Sequence, residues 1–312
     1  MTIVCVTLHP AVDRVLRVPT LQPNEAARCT VEMVYGGGKG NNVARALSGL
    51  NLPVIATGYQ GGHTGTFITE EIQKEGIQTR YVTTAEPTRI STMIQVDDTG
   101  NTYPVYEPGQ KVSEAEIQEL MDTLDRLLDE ASLVLLCGSG QTDRLSRVYA
   151  DMIVMARERG VHTLLDSSGG ALMRGIDARP FMVKVNRHEL GGYLGRDLAK
   201  REDQIEAMRE VQAMGIDIVA LSRGEEGMIA YDGKEFWEGV LHMESIINVN
   251  GCGDSQLAGV AKMLTEGAPL SEIVRWGIAC GTANTQVRGA GYIKLDKVEA
   301  LLPRVDLTRL DE

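Results

Sequence analysis

Aromatic side chains are scarce in this chain: three Phe, two Trp and nine Tyr supply only 4% of its 312 residues. A core of any size must therefore rest on Val, Ile, Leu, Met and Ala. Cysteine is sparse too. The five thiols (Cys5, Cys29, Cys137, Cys252 and Cys280) are odd in number and widely scattered. With no C-x-x-C pair and no His at metal-ligand spacing, a disulfide framework and a cysteine zinc site are excluded, and reduced thiols are expected. No apolar run is long enough to span a membrane. The opening run, MTIVCVTLHPAVD, is strand-like and lacks the basic flank and small-residue cleavage site of a signal peptide. A cytoplasmic protein is expected. Cations are in deficit, with 31 Lys and Arg facing 43 Asp and Glu for a net charge of −12. Such a surface argues against nucleic acid and anionic lipid as partners. It also sets a requirement, because a phosphate ligand would need local cations to overcome the global field.

What is present is ordinary globular material, 43% hydrophobic and 24% charged, enough for one large domain. From about Thr2 to Gly109, strand-like runs (IVCVTL, PVIATGY, ISTMIQVDD) are separated by turn-rich pieces and two helical stretches. The first helix, from Gly40, carries Val43, Ala46, Leu47 and Leu50 as an apolar stripe at helical spacing. From Val112 onward, amphipathic helices alternate with wholly apolar strands. SEAEIQELMDTLDRLLDEA precedes SLVLLCG, and REDQIEAMREVQAMG precedes IDIVALS. Strands of this kind, separated by helices, indicate a parallel sheet covered on both faces. The fold expected is α/β, a doubly wound and mostly parallel sheet with helices on both faces plus a small β-sheet lid. Residues 1–312 are expected to form one such domain, with lid strands inserted from about 10–35 and 88–108.

Ligands in such sheets sit at the carboxyl ends of strands, and five loops there carry candidate chemistry. In TLHPAVDR, Asp13 follows a strand end, where a carboxylate can accept hydrogen bonds from sugar hydroxyls or simply stabilise the turn. In YGGGKGNNVARAL, Gly36 to Gly38 allow close backbone approach, Lys39 adds a cation, and the helix start offers free N–H groups. This is neither a Walker loop nor a dinucleotide fingerprint, because Gly40 follows the Lys and Asn41 or Val43 falls where the last Gly should be. In PTRISTMIQVDDTG, Arg89 begins a strand, either as a phosphate fork or as a charge guarding a sheet edge. In FMVKVNRHELGGYLG, Asn186 ends a strand and Glu189 lies one helical turn on. That pair is a capping box or, through water, a magnesium site on a nucleotide phosphate. In NVNGCGDSQLAG, Gly251, Cys252 and Gly253 precede a helix with Asp254 in its first turn. An acid there suits the helix dipole, and equally an anion site beside a catalytic carboxylate.

Together and in this order, these segments resemble the ribokinase-like, phosphofructokinase B family of carbohydrate kinases over essentially the whole chain. GGGKGNNVARAL is similar to that family's first signature, and NGCGDSQLAGV to its second, usually G-A-G-D. KVNRHEL resembles its K-x-N-x-x-E-L segment, LSRGEEGMIAYDG its nucleotide-side S-x-G-x-x-G hairpin, and CGTANTQVRGAG the loop enclosing adenine. TLHPAVDR, LLDSSGGAL and EPGQKVS resemble the hexose-phosphate branch of 1-phosphofructokinases, tagatose-6-phosphate kinases and the minor 6-phosphofructokinase.

The resemblance implies an ATP-dependent kinase of a phosphorylated ketohexose, fructose 1-phosphate or tagatose 6-phosphate, giving a bisphosphate. Asp254 would take the proton of the attacking hydroxyl, while N–H groups of Gly251, Cys252 and Gly253 steady the γ-phosphoryl group. Asp13, Gly37, Gly38, Asn42 and Ser139 would meet the sugar, and Lys39 and Arg89 its existing phosphate. Lys184, Asn186, Glu189, Ser222, Gly224, Gly227 and Asn284 would line ATP, with Asn186 and Glu189 holding Mg²⁺ through water. A homodimer through the lid is implied, with neither nucleic acid nor membrane as partner. There are departures. His9 stands where Asn is usual, Arg223 where Leu is common, and Pro104 and Tyr106 differ from the lid residues of close relatives. CGSGQTD lacks the S-G-S-L-P ending. Asn248-Val249-Asn250 replaces D-T-V or N-P-V, near where some relatives hold a monovalent cation. Two other readings stand beside this one. Lys39 and Arg89 argue against a kinase of an unphosphorylated sugar or nucleoside. Asp254, directly after the turn of Gly251 and Gly253, argues against a catalytically silent sugar-phosphate-binding regulator.

Overall fold

Strands and helices alternate along the chain in the computed structural model, which describes residues 2–140 and 142–310. Gln141, in the CGSGQTD segment, lies outside the described residues. The first part comprises β1 (Thr2–Thr7), β2 (Ala11–Val18), β3 (Thr30–Gly37), α1 (Lys39–Gly49), β4 (Val54–Gln60), α2 (Gly62–Lys74), β5 (Gln78–Thr83), β6 (Ile90–Val96) and β7 (Thr102–Tyr106). There follow α3 (Glu114–Leu127), β8 (Ala131–Cys137), α4 (Leu145–Glu158), β9 (His162–Asp166), α5 (Gly169–Asp177), β10 (Met182–Asn186), α6 (Arg187–Leu194), α7 (Arg201–Ala213) and β11 (Ile218–Ser222). The last part holds β12 (Met228–Tyr231), β13 (Phe236–Val240), α8 (Cys252–Thr265), α9 (Leu270–Asn284), α10 (Leu295–Leu301) and β14 (Asp306–Leu310).

Ten strands form one sheet in the order β14-β13-β12-β11-β10-β9-β8-β1-β4-β5. From β11 to β5 every pairing is parallel, whereas β12, β13 and β14 add to the edge antiparallel. From β1 the chain moves outward through β4 and β5, then returns to the other side of β1 with β8. That reversal places a topological switch point at the carboxyl ends of β1 and β8, where open α/β sheets bind ligands. Apolar residues on both sides of each central strand explain the two-sided cover. Ile3, Cys5, Leu133 and Leu135 pack with α1, α8 and α9 in one core, and Val4, Val6, Val134 and Leu136 pack with α3, α4 and α7 in the other. No described helix is long and apolar enough to cross a membrane.

A second sheet of four strands, ordered β3-β2-β6-β7, stands beside the switch point. Its register separates two faces. The row Tyr35–Asp13–Ser91–Tyr106 lines a cleft over the main sheet. One residue along, side chains alternate to the other face at Val34–Arg14–Thr92–Val105, although Arg14 and Thr92 still border the cleft.

Candidate active site

A cleft of about 430 Å³ lies between the carboxyl ends of β9, β10 and β11, the four-stranded sheet, and the starts of α1 and α8. A larger hollow of about 720 Å³ sits by His162, Phe181 and Asp217, at the amino ends of the same strands and away from the switch point. The smaller one gathers Asp13, Lys39, Asn42, Lys184, Asn186, Glu189, Ser222, Gly251, Gly253 and Asp254. All ten are residues that the sequence singles out.

Helix α8 begins on Gly251, whose φ of 79° favours glycine, and a Cβ there would lie 2.4 Å from Ala290 Cβ. Gly253 has a different role. A Cβ at this position would meet only Lys184 Nζ, at 3.4 Å, so this glycine keeps the helix start open to the cleft. The N–H groups of Gly253 and Asp254 make no hydrogen bond among the described residues, leaving two donors at the positive end of the helix. Cys252 departs from expectation. Its N–H faces Val249 O at 3.4 Å and its thiol accepts from Asn284 Nδ2, so it is turned from the cleft.

Asp254 is 7% exposed. Asn42 Nδ2, from the first turn of α1, donates to its Oδ2 at 2.8 Å. Burial raises the Asp254 pKa, with Lys39 opposing. The Asn42 amide is itself oriented, because Arg45 Nη1 donates to its Oδ1 at 3.2 Å. Arg45 is buried and also donates to Gly36 O, Ala290 O and Glu75. Sequence reading passed over this arginine, although a cation within the apolar stripe Val43–Leu47 was a signal.

Asp166, at the end of β9, was not singled out either. It is 3% exposed and accepts from Lys39 Nζ at 2.5 Å and Lys184 Nζ at 2.8 Å. Burial alone would raise its pKa, but the two ammonium groups overturn this and hold it down at about 2. Burial would likewise lower Lys39, whereas Asp166 and Asp254 keep it above the usual lysine range. Lys39 is thus already partnered, and Lys184 belongs to this triad as much as to any nucleotide.

On the β10 side, Asn186 Oδ1 accepts from Glu189 N, and Glu189 Oε2 accepts from Asn186 N, both at 2.9 Å. This is a complete capping box, and it leaves the other Glu189 carboxylate oxygen at the cleft. Ser222 ends β11, with Gly224 and Gly227 in the turn beyond it, off the cleft lining. Asn284 requires a correction. Its side chain is fully buried, donates to Asn250 O, and accepts from Ser255 Oγ and Gly291 N, so it braces the loops and lies off the cleft lining. Arg223 is drawn away by Glu238 and Glu226.

On the sugar side, Gly37 makes room for Asp13, since a Cβ there would lie 2.0 Å from Asp13 Oδ2. Burial pushes the Asp13 carboxyl up to about 6, against the pull of Arg89 and Arg45. His9 is held down to about 4 by burial and by Arg89, so it is a neutral imidazole at pH 7. Arg89 precedes β6 and, like Gly37, Gly38 and Ser139, lies outside the cleft lining, though Asp13 and His9 feel its charge.

Asp13→Asn is expected to raise thermal stability at neutral pH while weakening sugar binding. The folded carboxyl titrates at about 6, above its unfolded value of about 3.9. Folding therefore favours the protonated form, and stability falls as pH rises between those values. Above them the native chain carries a cost on the order of 1–3 kcal/mol, which the amide relieves. Melting both proteins near pH 4 and near pH 8 should show a Tm gap that opens with pH. A gap of constant size would mean that the carboxylate is not held against its preference.

Residues 2–297 match the family described as pfkB family carbohydrate kinase. The chain is 27% identical over 305 residues to a 1-phosphofructokinase of Bacillus subtilis (strain 168), covering 98% of this chain and 99% of that one. A 1-phosphofructokinase of Vibrio cholerae is 28% identical over 309 residues, covering 99% and 97%. Phosphofructokinase-2 from Escherichia coli, solved with fructose-6-phosphate, superposes with a TM-score of 0.87 at 27% identity, covering 97% of this chain and 98% of that one. The same enzyme solved with potassium gives 0.88. The mostly parallel sheet with its smaller companion is the fold of these enzymes, and the chain belongs to the pfkB family of carbohydrate kinases.

Proposed function

We propose that the cleft transfers the γ-phosphoryl group of ATP to a free hydroxyl of a phosphorylated ketohexose, fructose 1-phosphate at O6 or tagatose 6-phosphate at O1. The observation that carries this reading is the meeting of two helix starts. Asp254 of α8 is held by Asn42 of α1, beside unused N–H groups and two lysines. Asp254 would accept the hydroxyl proton as the sugar oxygen bonds to the γ-phosphorus and the bond to the bridging oxygen of ADP breaks. Because that transition state is loose, alignment and charge neutralisation contribute more than base strength. The N–H groups of Gly253 and Asp254, with Lys184, would meet the charge. Asp13 would orient the sugar, and Lys39 and Arg89 would face its existing phosphate. The 1-phosphofructokinase names of two relatives and the sugar phosphate held by a third support this substrate class.

Mg²⁺ bound on the nucleotide supplies charge neutralisation at its phosphates. No cluster of three His, Cys, Asp or Glu that could hold a metal occurs among the described residues. That fits an ion which arrives on phosphates and keeps most of its water, with Asn186 and Glu189 holding the water shell. The four-stranded sheet would act as the lid that excludes bulk water. Its outer face carries Val31, Val34, Tyr103 and Val105, all exposed, and a second copy of the chain would cover it.

A coupled assay of ADP release against fructose 1-phosphate, fructose 6-phosphate, tagatose 6-phosphate and free hexoses tests the reading. One ketohexose phosphate is expected to exceed every free sugar in kcat/KM by about 100-fold, the scale of a charge-assisted phosphate contact. Arg89→Leu should shrink that ratio, and light scattering should give twice the chain mass. Preference for a free sugar would remove the phosphate roles of Lys39 and Arg89. Binding of a sugar phosphate without ATP consumption would favour the silent regulator.

A further inference from the structure

The turn that leads into α8 is built around Asn248, and its chemistry bears on the monovalent cation that some relatives hold. Potassium is bound in one solved form of Escherichia coli phosphofructokinase-2. Such an ion is a hard cation that needs several oxygen atoms with free lone pairs. Here each of those oxygen atoms is already engaged by an N–H donor. Asn248 Oδ1 accepts from Asn250 N at 2.9 Å. Since that N–H can only donate, the side-chain oxygen must face it and the NH₂ group must face the other way. Nδ2 accordingly donates to Asn250 O at 3.0 Å and to Gly289 O at 2.9 Å. Asn250 O also accepts from Asn284 Nδ2 at 2.7 Å, which uses its second lone pair.

Two backbone carbonyls aimed at one point repel each other unless a positive group lies between them. In this chain that group is an amide NH₂. It joins the turn at Asn250 to the loop at Gly289, and the next residue, Gly251, starts the helix whose free N–H groups face the cleft.

We propose that Asn248 is a positioning residue whose side-chain amide stands where a monovalent cation would otherwise bridge these carbonyls, making this kinase independent of potassium. The inference rests on the kinase reading, but its first measurement needs no sugar. Protein freed of alkali cations is melted in tetramethylammonium chloride and in potassium chloride at equal ionic strength. The parent Tm should be the same in both, and kcat and the KM for ATP should differ by less than about twofold. Asn248→Asp replaces the donor with a third oxygen, so its Tm should fall without potassium and recover with it. Its turnover should become potassium-activated by about tenfold, the scale of leaving buried polar groups unpaired. Asn248→Ala serves if the aspartate variant does not fold, because opening the gap should likewise admit potassium and raise Tm.

Potassium stabilisation of the parent, or a strong activation of it, would overturn the proposal. So would folded Asn248→Asp or Asn248→Ala variants whose Tm ignores potassium. If the parent consumes no ATP with any sugar yet the Tm pattern holds, the substrate reading fails and the role of Asn248 stands.

Discussion

Asp254→Asn is expected to lower kcat by about 10²–10⁴-fold, the usual contribution of a positioned general base. The KM values for ATP and sugar should move by less than about threefold, because the interaction lost is made only in the transition state. The geometry supports so clean an effect. Asn42 Nδ2 donates to Asp254 Oδ2, and the new amide can present its own oxygen to that donor, keeping its rotamer. What disappears is the acceptor for the hydroxyl proton. Stability should hold or rise, since the native carboxylate is 7% exposed and burial already raises its pKa. Removing a buried acid relieves that cost, while Lys39 keeps Asp166 as partner. Loss of rate with unchanged Tm marks a residue kept for chemistry rather than for folding. Steady-state kinetics and thermal denaturation on one preparation decide it. A variant that turns over hexose phosphate at the parent rate would mean that Asp254 is not the base.

What could be read from the sequence was chiefly what is local. The Asn186–Glu189 capping box, the glycine-flanked start of α8 and the stripe of α1 each depend on residues within a few positions of one another. They emerge where the spacing puts them. The Asp166 triad is of another kind. Its partners lie 127 and 18 residues away, and only the arrangement of strands brings them together. In the sequence Asp166 merely ends an apolar strand, LLDSS, though an acid in that place at a carboxyl end was a signal. Arg45 was hidden for a similar reason, because its acceptors at Gly36, Glu75 and Ala290 come from three separate segments. Asn284 shows the opposite failure. Its segment was placed beside the nucleotide, but a family pattern cannot say which way one side chain on a helix end turns. This one turns inward.

Asp166→Asn should show what that triad contributes. Lys184 is 4% exposed, and its ammonium group has Asp166 as its hydrogen-bond partner. Removing the negative charge leaves a buried cation uncompensated, which costs on the order of 3–5 kcal/mol. Lys39 is less buried and can turn to solvent, so most of the loss belongs to Lys184. The sign of the pH dependence follows from the native value. Asp166 titrates at about 2 when folded, below its unfolded value of about 3.9. Its stabilisation is therefore complete above the unfolded value and is lost as pH falls through about 2. The variant should lack that acid limb and be destabilised uniformly at higher pH. Anions give an independent check. Sulfate or ATP can supply the missing negative charge to both lysines, so either should raise the variant's Tm more than the parent's. Lys39→Met makes the contrast, since Asp166 and Lys184 remain paired and little stability should be lost. If Asp166→Asn melts with the parent at neutral pH, the buried pair makes no net contribution to folding, its attraction only offsetting the cost of burying both charges.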